Sequence, residues 1–184
     1  FTLSADELLS VLEKAAIDPK PGFDKVLDNL CCNNNGKRYI GAEWQLRYAR
    51  DIWEQIDEFE YKFPPDATTD FRIIDIKLNT NTRIELKSWQ QFLSIYEDAF
   101  IEEFAKDIRD IEKLEEMLWV FDKKGQFSFL SDKQGYDYLK EKVIDVLTRR
   151  KDDLENIAGA SKFEVLLGAN SYEEAIESLS IDIF

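Results

Sequence analysis

Histidine is absent from this 184-residue chain. Its absence removes imidazole acid–base chemistry, Ser-His and Cys-His nucleophile pairs, and histidine-ligated zinc. Cysteine is scarce, and its two copies, Cys31 and Cys32, are neighbours. Adjacent cysteines bridge each other only with strain, so no disulfide framework is expected and both read as inert small residues. No apolar run approaches the roughly 20 residues that span a bilayer, and no secretory leader is recognisable. Positive charge is in deficit: 24 Lys and Arg against 38 Asp and Glu leave a net charge of −14. Such a chain repels nucleic acid at long range, which counts against a generic nucleic-acid binder and suits a basic protein partner. Any catalysis must then rest on carboxylates, lysine, tyrosine or a metal held by oxygen. The chain opens on Phe1 rather than methionine, as expected of a piece excised from a longer protein.

What is present is ample apolar content, 44% of residues, enough for one globular domain with a core and a small appended segment. Residues 4–16 read as a helix, with Ser4 and Glu7 spaced as a capping box. "DPKPG" at 18–22 stops it, a short helix follows at 23–32, and "NNNGK" is a loop. "GAEWQLRYARDIWEQID" at 41–57 carries Ala42, Leu46, Ala49, Trp53 and Ile56 on one helical stripe. "EFEYKF" alternates like a strand. "FRIIDIKL" and "RIELKSW" flank "NTNT", a strong hairpin signal. A helical stretch is expected from about 90 to 116, with Phe100, Phe104, Ile108 and Ile111 inward. A second hairpin is expected from 117–122 and 126–130, then helices at 132–149, 152–158 and 171–179. The order of elements indicates α/β or α+β, a sheet covered by helices.

The first hairpin carries the chemistry. With the turn centred on Thr80, Asp75 lies directly opposite Glu85, where facing Cβ atoms are about 4.5–5.5 Å apart. Two carboxylates that close repel, and one of them is expected to hold its proton more tightly. A divalent cation would offset the repulsion, and Mg²⁺ prefers such oxygens. Lys87 shares the face and adds positive charge. Ile74, Ile76, Leu78, Ile84 and Leu86 form the reverse, apolar face, which fixes the register. Upstream, "KRYIGAEWQLRYAR" sets Lys37, Arg38, Arg47 and Arg50 around one acid, Glu43. It is a basic island in an acidic chain, suited to phosphate.

An aspartate on one strand, Glu85-Leu86-Lys87 on the next and Glu43 on a preceding helix together resemble the PD-(D/E)xK phosphodiesterase superfamily. More closely, "GAEWQLRYARDIW", "FEYKF", "RIIDI", "IELKSW" and "FIEEFAKDI" are similar to nuclease domains at the C-termini of polymorphic bacterial toxins, including contact-dependent growth inhibition proteins. The resemblance covers residues 36–122. It implies a restriction-endonuclease-like mixed sheet flanked by helices over 36–184, with an N-terminal helical segment at 1–35. It implies Mg²⁺ or Mn²⁺ held by Asp75, Glu85 and Glu43, with Lys87 orienting the attacking water. It also implies a DNA or tRNA substrate, a cognate immunity protein, and delivery from a cell surface into the cytoplasm of a target bacterium. Arg47, Arg50, Lys77 and Arg83 are candidate phosphate contacts. Asp70 competes with Asp75 for the aspartate role; Asp75 is favoured because it faces Glu85. Glu103 stands where related sequences often carry glutamine.

Blander readings stand beside these. Asp75, Lys77, Glu85 and Lys87 could form an ion-pair ladder on a solvated face, which is worth little energy. "TRRK" at 148–151 reads as a basic helix terminus, and Trp44, Trp53, Trp89 and Trp119 as core aromatics. A non-enzymatic acidic module, such as an immunity protein docking a basic partner, is the alternative function. A restriction or repair enzyme of the same fold is a third.

Overall fold

Ser4 begins the fold as its pattern requires. Its hydroxyl accepts the Glu7 N–H while the Glu7 carboxylate takes the Ser4 N–H at 2.9 Å. The structure, a computed structural model, describes residues 3–31, 37–63, 72–87, 97–109, 111–122, 132–159, 168 and 171–184. Among these are seven α-helices and five strands of mixed direction, a mixed α/β protein whose strands are flanked by helices. The chain divides into two compact units, residues 1–88 with Phe184, and residues 89–183.

The first unit holds α1 (Ala5–Ile17), α2 (Phe23–Cys31), α3 (Lys37–Ile52), a 3₁₀ turn (Trp53–Gln55) and the strands β1 (Ile56–Phe63), β2 (Arg72–Leu78) and β3 (Arg83–Lys87). The two N-terminal helices lie against the rest of this unit: α2 packs on α3 and β1, and α1 on α3. Gly22 makes the entry to α2 possible. Its φ is +77°, and an added Cβ would stand 2.0 Å from the Phe59 carbonyl oxygen. Phe23 then meets Trp53 edge-on at 5.2 Å and Phe59 at 5.6 Å. Trp44, Trp53, Phe59, Ile76 and Ile84 are fully buried. Each such side chain contributes roughly 1.5–3 kcal/mol of burial.

The helix expected over 41–57 begins at Lys37 and gives way at Trp53. Ile56 is already paired with Leu78, so sheet pairing captures the tail of the helical pattern. The hairpin forms as expected. Ile76 faces Ile84 and Lys77 faces Arg83, which centres the turn on Thr80, and Asn81 takes the left-handed conformation at φ 68°. Beyond the Ile76 and Ile84 pair the Leu86 N–H donates to Asp75 Oδ2, and the Glu85 carboxylate stands near enough to Asp75 to act on its charge. Ile74, Ile76 and Ile84 are buried, so the apolar face points inward, with Leu78 and Leu86 half-buried at its margin.

The second unit holds α4 (Glu97–Arg109), a 3₁₀ turn (Leu114–Glu116), β4 (Met117–Phe121), α5 (Asp132–Arg149), α6 (Lys151–Ala158), α7 (Tyr172–Glu177) and β5 (Ile181–Ile183). Phe100, Phe104, Ile108 and Ile111 are buried as their spacing predicts, though the helix itself ends at Arg109. β4 runs parallel to β5, with Trp119 opposite Ile181. A parallel pair needs a long crossover, and α5 to α7 supply it. The sequence pattern missed β5, whose three residues are too short for alternation to register. The expected strand 126–130, Cys32, Asp70 and Trp89 lie outside the described residues.

Candidate functional site

α3 is the unusual element. Every residue from Ala42 to Ala49 is buried, including Glu43, Gln45 and Arg47. Glu43 and Arg47, the acid and one of the bases of the basic island, are therefore enclosed. Burying charge and amide groups is costly unless each finds a partner. Gln45 does so by donating from Nε2 to the Asp75 carbonyl oxygen at 2.6 Å, tying α3 to the middle strand. Arg47 sets its guanidinium carbon 5.1 Å from the centre of the Trp44 ring. Glu43 leaves its Oε1 enclosed with no hydrogen-bond partner among the described residues, and only 6% of the residue is exposed.

Asp75 sits at the centre of β2, where its Oδ2 accepts the Leu86 N–H at 2.7 Å. Burial, and then the nearby Glu85 carboxylate, push the Asp75 carboxyl well above the usual range. Glu60 acts in the same direction, while the Leu86 N–H and Lys87 pull it part of the way back. Glu85 is 7% exposed and Lys87 4%. Lys87 Nζ lies 3.0 Å from Glu85 Oε1, and Arg72 Nη2 lies 2.9 Å from the same oxygen. Burial of Glu85 and Lys87 is not the geometry of a solvated ladder. The structure thus brings Asp75, Glu85 and Lys87 together and adds three residues that the sequence reading missed: Arg72, Gln45 and Glu60.

Glu60 faces Asp75 from β1, because the register passes from Phe59↔Ile76 to Tyr61↔Ile74. Its φ of 48° is left-handed, rare for a residue with a side chain. Burial pushes its carboxyl upward, against a hydrogen bond from Gln45 and the charge of Lys25. Alternation in "EFEYKF" was the only available sign of it, and the register of β1 on β2 shifts between Ile56 and Glu58, which sequence spacing does not reveal. Arg72 opens a strand otherwise read for its apolar residues. Gln45 lies on the face of α3 that periodicity does not single out.

The remaining candidates are placed elsewhere. Arg50 is committed to Glu7 at 2.7 Å and to Asp51 at 2.9 Å, fastening α3 to α1. Lys77 reaches Asp57 at 2.5 Å and lies 5.0 Å from the Tyr61 ring centre. Arg83 stacks its guanidinium 3.9 Å from the Phe63 ring centre. Glu103 lies half-buried on α4. Arg149 and Arg150 of "TRRK" are paired with Glu97, Asp98, Asp145 and Asp153.

Among the described residues, no three acidic or cysteine side chains already converge as a metal site. Internal donors account for part of this: two cations occupy Glu85 Oε1, and a backbone N–H occupies Asp75 Oδ2. The donor chemistry nevertheless fits a hard divalent cation. All the acids are oxygen donors, the Asp75 carboxylate is destabilised by its acidic neighbours, and Glu43 holds an orphaned buried oxygen. Comparison with known proteins returned no matching family model, no matching curated protein and no matching solved structure. The toxin-nuclease resemblance rests on the chain's own motifs.

Proposed function

We propose that the chain is a divalent-metal-dependent nuclease that hydrolyses phosphodiester bonds of DNA or tRNA. In this reading it is the C-terminal toxin domain of a bacterial competition protein. One observation carries the reading: Asp75 is crowded by Glu85 and by Glu60 of β1, on a hairpin that also buries Lys87 and sets Arg72 against Glu85. Asp75, Glu85 and Glu43 would hold Mg²⁺ or Mn²⁺, which when bound supplies charge neutralisation at the phosphate and acidifies water. The chain's own residues do the rest. Lys87 orients the attacking water and stabilises charge on the phosphate, held in place by Glu85. Arg72 supports the same carboxylate from β2. Arg83, half-buried beside Phe63, is the guanidinium proposed for a flanking phosphate, while the enclosure of Arg47 and the ion pairs of Arg50 and Lys77 give those three lesser parts.

The remaining features agree with this role. A nuclease of −14 net charge gains little from long-range steering, so it depends on contacts close to the scissile group. A cognate immunity protein would silence it in its maker, and delivery from the cell surface would bring it to the cytoplasm of the target. The same net charge favours a second reading, an acidic module docking a basic partner. Enclosure of Glu85 and Lys87 weighs against it, because docking charges belong on the surface.

Controlled expression in a bacterial host tests the choice. The nuclease reading predicts growth arrest with fragmented chromosomal DNA or tRNA, and sequencing of the fragment ends identifies the substrate. Growth arrest with both nucleic acids intact sinks it.

A further inference from the structure

Gln45 and Glu60 meet around Asp75 from different elements. Gln45, on α3, is 3% exposed and sends Nε2 to the Asp75 carbonyl oxygen at 2.6 Å. Glu60, on β1, stands across from Asp75 in the β1–β2 register. One buried amide therefore ties the helix to the strand that carries the central acid, and a second acid faces that position from β1. On the other side of β2, Asp75 Oδ2 is taken by the Leu86 N–H at 2.7 Å. Asp75 is thus fastened by its main chain from α3 and by one carboxylate oxygen from β3.

Glu60 faces Asp75 from a left-handed backbone, φ 48°, inside β1. Such a conformation costs on the order of 1–3 kcal/mol for a residue with a side chain, and persists only where the surroundings over-determine it. Glycine would adopt it without cost. A glutamate in that place brings a half-buried carboxylate to face Asp75, already opposed by Glu85. The arrangement is unfavourable for folding, which directs attention to what the acid does once the fold is made.

We propose that Gln45 and Glu60 prepare the candidate site for a bound cation, Gln45 by fixing the β2 main chain at Asp75 and Glu60 by setting a further carboxylate across from it. The inference rests on the metal-dependent reading of the site. Gln45 acts by geometry, holding the carbonyl of Asp75. Glu60 acts by charge, since a carboxylate facing Asp75 across the strands adds to the demand for a cation.

Calorimetric titration of the purified chain with MnCl₂ tests this, with the urea unfolding midpoint followed in parallel. Glu60→Gly keeps the left-handed backbone and removes the carboxylate; Gln45→Met keeps the bulk and removes the donor. Each variant is expected to weaken Mn²⁺ binding about tenfold, the lower end of losses seen when residues supporting metal ligands are changed. Glu60→Gly is expected to unfold no earlier than the wild type, which separates loss of the carboxylate from loss of fold. Wild-type affinity in a folded Glu60→Gly variant overturns the proposal. A wild-type chain that binds no Mn²⁺ overturns the metal-dependent reading itself, and is recognised before any variant is compared.

Discussion

Single residues decide the site, and Asp75 is the most informative. Its folded carboxyl holds a proton more tightly than the ordinary value of 3.8, chiefly from burial and from Glu85. The folded chain therefore binds that proton more readily than the unfolded chain. Any stability it confers is fully present below that ordinary value and is lost as pH rises through the raised folded value. Asp75→Asn removes the repulsion, so the variant is expected to be more stable than wild type at pH 7. The difference should shrink toward pH 4, as read by urea unfolding at the two pH values. A constant difference would mean that Asp75 does not titrate differently on folding. Lys87 behaves oppositely. It is enclosed 3.0 Å from Glu85, and removing one member of a buried pair strands the other. Lys87→Met is expected to cost about 3 kcal/mol, with Glu85→Gln in the same chain recovering part of it. Additive losses would show that the pair is not energetically coupled. Asp75, Glu85 and Lys87 were legible in the sequence because strand alternation and a centred turn set their register. Gln45 and Glu60 were not, because they reach the cluster from other elements, and Arg72 was not, because it stands at the open end of a strand read for its apolar residues.

At the scale of elements, local signals read well and competing ones read poorly. The capping box at Ser4 and Glu7 formed as spaced, and so did the hairpin around Thr80. Both depend on residues within a few positions of one another. The end of α3 was misread because the apolar stripe continues through Trp53 and Ile56, while pairing with Leu78 draws Ile56 into β1. The burial of residues 42–49 of α3 was hidden by their charged and amide side chains, which give no sign of enclosure in the sequence. The entry to α2 gives a sharp test of how this unit is assembled. Gly22 has φ +77°, and an added methyl would fall within bonding distance of the Phe59 carbonyl. Gly22→Ala is expected to cost at least roughly 2 kcal/mol, since both the backbone and the contact must shift. An unchanged unfolding midpoint would contradict the docking of α2 against β1.

The whole molecule is set by its charge. With −14 net, approach of the proposed phosphodiester substrate is opposed at long range and only contacts at the site favour binding. Salt screens the long-range part over a Debye length of about 10 Å at 0.1 M. Raising ionic strength from about 0.01 to 0.1 M is therefore expected to lower KM, opposite to the steep weakening shown by basic nucleic-acid binders. A KM that rises steeply with salt would indicate a basic binding surface that this chain's composition does not suggest. The central claim is that the crowded carboxylates around Asp75 serve metal-dependent phosphodiester hydrolysis. Its most direct test incubates the purified chain with plasmid DNA and with total tRNA, in Mg²⁺ or Mn²⁺ and in chelator, beside Asp75→Asn of equal folded content. The account predicts that wild type cleaves one substrate only with metal and that the variant falls to the chelator background. Cleavage by Asp75→Asn at the wild-type rate, or no cleavage of either substrate by wild type, would contradict it.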